Sequence, residues 1–287
     1  MIPDPAFRLI RPARQDTAVV FSSPHSGRAY PDSFVRGSQL DPHLLRSSED
    51  AFVDELFAAA PDLGAPLLLA ELPRAFVDLN RAPDEFDPAL IEGVPRVAHN
   101  PRISSGLGVI PRVVAVGRAI RAGKMTRAEA EARMARVWHP FHAALRRLMA
   151  ETHARFGEAI LIDCHSMPHE AIETHARPGR PRPEVVLGDR YGAAAAPVII
   201  DAIEAAFRDH GFRTSRNSPF AGAYIAQAYG RPSSRHHVVQ VEIDRALYMD
   251  EATITRKPEF DAFRARLTGV VAVLADLGRG TMPLAAE

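Results

Sequence analysis

The sequence predicts an α/β fold, three layers thick, around a mostly parallel or mixed central sheet. Short apolar runs closed by turn residues recur at 18–21, 67–71, 160–164, 185–188 and 237–243. Between them lie longer segments whose apolar residues repeat at helical spacing, around 51–59, 126–153, 191–208 and 258–277. Strand and helix patterns that alternate in this way describe one sheet covered by helices. No internal repeat and no low-complexity tract breaks the alternation, so a single domain over residues 1–287 is expected.

The first strand, Ala18-Val19-Val20-Phe21, ends at Ser22-Ser23-Pro24-His25-Ser26-Gly27, where Gly27 permits a tight bend and His25 projects from the strand end. Ser47-Ser48-Glu49-Asp50 then opens a helical pattern with Phe52, Val53, Leu56 and Phe57 on one face. Serine before acids is a helix-start signal, which would by itself account for Glu49 and Asp50, so a ligand role for either needs support from elsewhere in the chain. The runs 67–71 and 75–79 read as strands, the second delivering Asp78-Leu79-Asn80-Arg81 at its end. Residues 82–112 form a long segment punctuated by proline and glycine, and loops of that length in compact domains usually carry function. A wall or lid over a site is therefore expected there.

Thr126-Arg127-Ala128-Glu129 has capping-box spacing and starts the longest helix, with Met134, Val137, Phe141, Leu145 and Leu148 on its apolar face. His139 and His142 on that helix lack the acid a helical zinc motif requires, and Pro140 separates them. The central strand Ile160-Leu161-Ile162-Asp163-Cys164-His165 closes at Ser166-Met167-Pro168 and places His165 at its end, where open α/β sheets bind ligands. Val185 to Gly188 is a further strand, Tyr191 to Arg208 an alanine-rich helix interrupted at Pro197, and Ser218 to Tyr224 a loop of small and aromatic residues suited to a pocket wall. The strand His237 to Ile243 carries Glu242 among apolar neighbours, and Pro258 to Leu277 is a closing amphipathic helix.

Composition narrows the function classes. Equal numbers of basic and acidic residues, 35 each, argue against a nucleic-acid stripe, and the arginines at 177, 180 and 182 read as a solvated loop. The single cysteine, Cys164, excludes an intrachain disulfide framework and fits a reducing compartment. No apolar run approaches the roughly 20 residues that span a bilayer, and Met1 to Arg14 lacks a signal-peptide core, so a cytoplasmic protein is expected. Cys164 beside His165 and Asp163 invites a thiolate-nucleophile reading, but adjacent residues on a strand seldom converge.

The order His25, Asn80-Arg81, His165, Glu242 along an α/β chain resembles the zinc carboxypeptidase clan, and within it the N-formylglutamate amidohydrolase family. The resemblance rests on Pro24-His25-Ser26-Gly27, Asp50 with Asp54, Asp78-Leu79-Asn80-Arg81, Asp163-Cys164-His165-Ser166-Met167-Pro168, Pro219-Phe220-Ala221-Gly222, and Gln240-Val241-Glu242-Ile243-Asp244-Arg245 with Leu247-Tyr248-Met249-Asp250-Glu251. It covers the chain from about residue 20 to 252 and implies a zinc carboxypeptidase-like fold. It also implies one zinc held by His25, His165 and an acid. The clan's glutamate three residues after the first histidine is replaced by Arg28, so the acid comes later: Asp50, with Glu49 and Asp54 as competitors.

Hydrolysing an amide near neutral pH needs a better nucleophile than bulk water, and zinc with an open position lowers the pKa of its water to about 7. The resemblance makes Glu242 the general base and then the general acid. Arg81, with its planar fork, and Asn80 would grip a substrate carboxylate. Arg245 and Arg112 are further candidates for a second carboxylate, and Asp163 for orienting a ligand histidine. The implied reaction converts N-formyl-L-glutamate to glutamate and formate, the partner being a small acidic N-acyl amino acid. Hydrolysis of another N-acyl amino acid or a short peptide, or a non-catalytic binding role on the same fold, are the competing readings.

Overall fold

The computed structural model describes residues 3–95, 100–173 and 182–279. Its strands are β1 (Phe7–Ile10), β2 (Val19–Ser23), β3 (Leu67–Ala70), β4 (Ala159–Met167), β5 (Val185–Gly188), β6 (Thr214–Arg216) and β7 (His236–Asp244). The longer helices are α1 (Arg127–Arg133), α2 (His139–Phe156), α3 (Pro197–Asp209), α4 (Tyr224–Tyr229) and α5 (Phe260–Leu277). The strands form one seven-stranded sheet in the order β1-β3-β2-β4-β7-β5-β6, flanked by helices. β2 pairs with β4, β4 with β7 and β5 with β6 in parallel, while β5 runs antiparallel to β7. The sheet is therefore mixed, one of the two arrangements expected.

The chain groups into two compact units. The larger comprises residues 9–23, 52–68 and 145–287. It contains β4 and β7, the longest strands, and every residue of β4 is buried. That explains the unbroken apolar run at 159–162, since a strand covered on both faces has no solvent side to alternate toward. α3 buries Ile199, Ile200, Ile203 and Phe207, and α5 buries Phe263, Leu267, Val270, Val271 and Leu274. Phe212 links the two helices, meeting Phe207 and Phe263 edge to face at 5.8 Å each, with Arg266 stacked on its ring.

The smaller unit comprises residues 1–8, 24–51 and 69–144 and is built mainly from turns, short helices and α1. Its apolar centre includes Phe34 and Phe76, whose rings meet at 5.3 Å, with the Arg133 guanidinium 4.3 Å from the Phe76 ring. Arg133 donates to Glu129 at 2.7 Å, and burial lowers its pKa against the opposing pull of that carboxylate.

The chain departs from the sequence expectations in several elements. Residues 75–79 form no strand; Pro73 opens a turn closed by Phe76 N–H to Pro73 O, and Asp78 N–H instead reaches Val109 O at 2.8 Å. Arg81 therefore follows a turn. The helix expected over 191–208 begins at Pro197, because proline fits the first helical position, where no intrahelical N–H is needed. The long helix expected from 126 splits at a π turn, Met134–Trp138, with His139 N–H bonded to Met134 O. Pro140 explains this: it lacks an N–H and crowds the preceding turn, and the wider turn accommodates the ring. The helix around 51–59 shrinks to Val53–Leu56 because Phe52 adopts a left-handed φ of 66° while packing on Phe260.

β1 and β6, two edge strands, carry no run that composition would flag. Of the arginine cluster, Arg177 and Arg180 lie outside the described residues, as does 96–99 of the expected lid, while Arg182 pairs with Glu173 at 2.9 Å. No helix among the described residues is long and apolar enough to cross a membrane.

Ile162 lies at the centre of β4 with no exposed surface. Ile162→Ala is expected to lower the free energy of unfolding by about 2–5 kcal/mol, read from urea denaturation; a loss below about 1 kcal/mol would show that this side chain is not part of a tightly packed core.

Candidate metal centre and active site

His25 lies just past β2, on a segment laid against the chain at Glu71 and Leu72. A Cβ at Gly27 would fall 2.2 Å from Leu72 O, and Ala29 N–H donates to Glu71 O at 2.9 Å. Glycine is required at 27 by close backbone approach, and the bend expected from its conformational freedom is not the reason. His25 Nε2 meets Asp78 Oδ1 at 2.8 Å, and its Nδ1 lies 3.5 Å from Asp50 Oδ2. Asp78 also accepts Asn80 N–H at 2.8 Å and Arg74 Nη2 at 2.7 Å. Burial by itself would raise the Asp78 pKa, but Arg74, His25 and Arg81 outweigh it and hold the carboxyl well below the usual range. An ionised Asp78 can only accept, so His25 Nε2 carries the hydrogen, and in the neutral ring the lone pair is then on Nδ1. Arg74 extends the network, with Nη1 3.8 Å from Asp50 Oδ1.

The competing acids differ from Asp50. Glu49 accepts from the Tyr30 hydroxyl at 2.6 Å and from Arg46 Nε and Nη2 at 3.1 Å. Burial, then Glu49, pushes the Tyr30 phenol pKa up, so it stays a donor. Neither Glu49 nor Asp54 belongs to the buried cluster of possible metal ligands, which takes Asp50 as its acid.

In the larger unit, the parallel register of β4 and β7 sets Asp163 beside Gln240 and His165 beside Glu242. Residues two apart on a strand share a face, and so do register partners, so these four side chains lie on one side of the sheet. His165 Nε2 lies 3.1 Å from Asp163 Oδ2, and Gln240 Nε2 donates to Glu242 Oε1 at 2.7 Å. Glu242 is 7% exposed, so alternation does not carry it to solvent. The strands run two residues beyond His165 and Glu242, to Met167 and Asp244, so both side chains sit inside the ladder. Arg245 is buried and donates to Ser166 Oγ at 3.1 Å. Cys164 faces the opposite side; burial, then Asp163, pushes its thiol pKa well up, which removes the thiolate a nucleophile needs.

Asn80 and Arg81 are buried in the smaller unit. Arg81 Nε donates to Leu107 O at 3.0 Å and Nη1 to Asn80 O at 2.9 Å. Burial lowers its pKa while Asp78 raises it. Two side chains from the long helical stretch hold this turn: Trp138 Nε1 donates to Arg81 O at 3.1 Å, and His142 Nε2 reaches Leu79 O at 2.9 Å. His142 thus serves the main chain. Arg112 is engaged by Asp87, Nε to Oδ2 at 2.8 Å. Sequence reading assigned no role to Arg74, Trp138 or Gln240; the proximity of Gln240 and Glu242 on one strand face was the one available signal.

One donor atom from each of His25, Asp50 and His165 lies within 4.8 Å of the other two, and all three residues are buried. Two imidazoles and a carboxylate are a donor set suited to a divalent metal with an open position. Two ligands of a tetrahedral ion with bonds of about 2.0–2.1 Å lie roughly 3.3 Å apart, close to the 3.5 Å between His25 Nδ1 and Asp50 Oδ2. The residues fit a metal centre.

The profile of the N-formylglutamate amidohydrolase family matches residues 17–249. An N-formylglutamate deformylase of Pseudomonas aeruginosa is 31% identical over 81% of this chain and 82% of its own length. One from Pseudomonas putida is 29% identical over the same shares. The crystal structure of an N-formylglutamate amidohydrolase from Ralstonia eutropha JMP134 superposes with a TM-score of 0.89 at 36% identity, covering 96% of this chain and 99% of that one. With a family match across most of its length and a solved member of that name sharing its fold, the chain belongs to the N-formylglutamate amidohydrolase family.

Proposed function

We propose that this enzyme hydrolyses the formyl amide of N-formyl-L-glutamate to L-glutamate and formate. The observation that carries the reading is the meeting of His25, Asp50 and His165, distant in sequence and all buried, in a chain of this family. Zinc held by these three would supply Lewis acidity and lower the pKa of a coordinated water to about 7.

The chain's own residues divide the remaining work. Asp78 at His25 Nε2 and Asp163 beside His165 Nε2 leave Nδ1 of each ring for coordination. Glu242, which accepts a hydrogen bond from Gln240, takes a proton from the attacking water on its carboxylate and returns it to the leaving amine. Arg81 and Asn80 bind the substrate α-carboxylate, the fixed guanidinium excluding other poses. Arg245 and Arg112 are assigned to the second carboxylate, Arg112 from the described residues 100–112 of the loop segment. Release of Arg112 from Asp87 would accompany that contact. The buried single cysteine fits a reducing compartment, and we place the enzyme in the cytoplasm.

The purified protein is expected to contain one zinc per chain and to release formate from N-formyl-L-glutamate. A chelator should abolish the release and added zinc restore it. Zinc without formate release would redirect the assignment to another acyl amino acid or peptide, and failure to bind any divalent metal would overturn His25, Asp50 and His165 as ligands.

Glu242→Gln should retain zinc and lose about 10²–10⁴-fold in kcat. Unchanged turnover would remove Glu242 from proton transfer.

Arg81→Ala should cost about 2–5 kcal/mol in kcat/KM for acidic substrates, with zinc content unchanged. Arg81→Lys should recover only part of this, because it restores charge without the planar fork. Equal kcat/KM in all three proteins would exclude a carboxylate contact.

A further inference from the structure

Gln240 touches both Glu242 and the loop that leads into α4. Its Nε2 donates to Glu242 Oε1 at 2.7 Å, and its Oε1 accepts the Ala223 N–H at 2.9 Å. These neighbours dictate which way the amide points: a backbone N–H only donates and a carboxylate only accepts. Gln240 is 4% exposed, so water has little access to compete for either bond.

The loop at the other end is itself anchored. It passes over Gly188, the register neighbour of Gln240 on β5, where a Cβ would fall 2.7 Å from Ala221 C and Gly222 N. Arg190 N–H donates to Ala221 O at 2.7 Å, and Asn217 Nδ2 to Asp189 Oδ1 at 2.7 Å. A chain of contacts thus runs from β5 through the loop and Gln240 to Glu242, all within the larger unit.

We propose that Gln240 positions Glu242 for proton transfer, fixing its carboxylate at an orientation set by the loop at 217–223. This rests on the reading of Glu242 as general base. A carboxyl group rotates freely about its last torsion, and one buried donor on one oxygen restrains that rotation. Proton transfer depends on this alignment, so the effect falls on kcat. If Gln240 only satisfied the Ala223 N–H, its loss would disturb the loop without acting through Glu242.

Two substitutions separate these roles. Gln240→Met removes these two hydrogen bonds at similar volume; Gln240→Glu keeps an acceptor for Ala223 but sets against Glu242 a second carboxyl that repels its charge or shares its proton, so Glu242 is no longer held as a free base. With zinc-supplied protein and N-formyl-L-glutamate, both are expected to lose about 10–100-fold in kcat with KM within about threefold and parental zinc content. Added to Glu242→Gln, Gln240→Met should cost less than about twofold more. Parental kcat in Gln240→Glu, or the full loss recurring in the Glu242→Gln background, would overturn the proposal and leave Gln240 as a loop anchor. If Gln240→Met does not fold, Gln240→Glu decides. A parent protein that releases no formate fails the hydrolase reading and this proposal with it, whereas an active parent with unimpaired variants sinks only the positioning role.

Discussion

The parallel pairing of β4 with β7 constrains everything built on the larger unit. Because side chains alternate with a period of two, the register that sets His165 beside Glu242 also sets Asp163 beside Gln240 on the same face. A slip of one residue would turn Glu242 toward the side occupied by Val239, Val241 and Ile243, where a carboxylate has no partner. The opposite face, with Ile162 and Cys164, belongs to the apolar core. The buried polar groups on the site face meet one another, which offsets part of their burial: Asp163 lies against His165, and Gln240 donates to Glu242.

The smaller unit solves a similar problem without a ladder. Its polar centre is Asp78, which takes donors from His25, Asn80 and Arg74. One carboxylate thereby fixes a histidine, a main-chain turn and an arginine that also reaches Asp50. A turn has less intrinsic rigidity than paired strands, and the main chain at Leu79 and Arg81 is held from outside by His142 and Trp138, whose rings lie 4.0 Å apart. The π turn that Pro140 accompanies lies within this supporting stretch, so an apparent irregularity in the helix belongs to the region that holds the Asn80-Arg81 turn.

What could be read in the sequence follows from how local each signal is. β2, β3, β4, β5 and β7 were legible as bounded apolar runs, and α5 as a helical stripe, because each pattern is written within a few residues. β1 and the polar β6 lie at the sheet edges and carry no such run, and residues 75–79 carry one without forming a strand. His25, His165 and Glu242 were legible through the order of short motifs. Asp50 remained one of three acids because Ser47-Ser48-Glu49-Asp50 imitates a helix start; only tertiary contacts separate Glu49, committed to Tyr30 and Arg46, from Asp50. Trp138, Arg74 and Gln240 act through partners that neighbouring residues do not announce.

The two histidines share a further feature that unites the two designs. Each has a carboxylate at Nε2, Asp78 for His25 at 2.8 Å and Asp163 for His165 at 3.1 Å. One acid comes from a turn 53 residues away and the other from the same strand two residues earlier, yet both leave Nδ1 as the donor. Both ring nitrogens lie beyond the same two rotatable bonds of a rigid ring, so a partner at Nε2 sets the ring plane and with it the direction of Nδ1. Fixing each ring by its far nitrogen removes the remaining freedom. A donor set organised in this way needs little rearrangement to coordinate an ion, and the ordering is done by Asp78 and Asp163, which the metal need never touch.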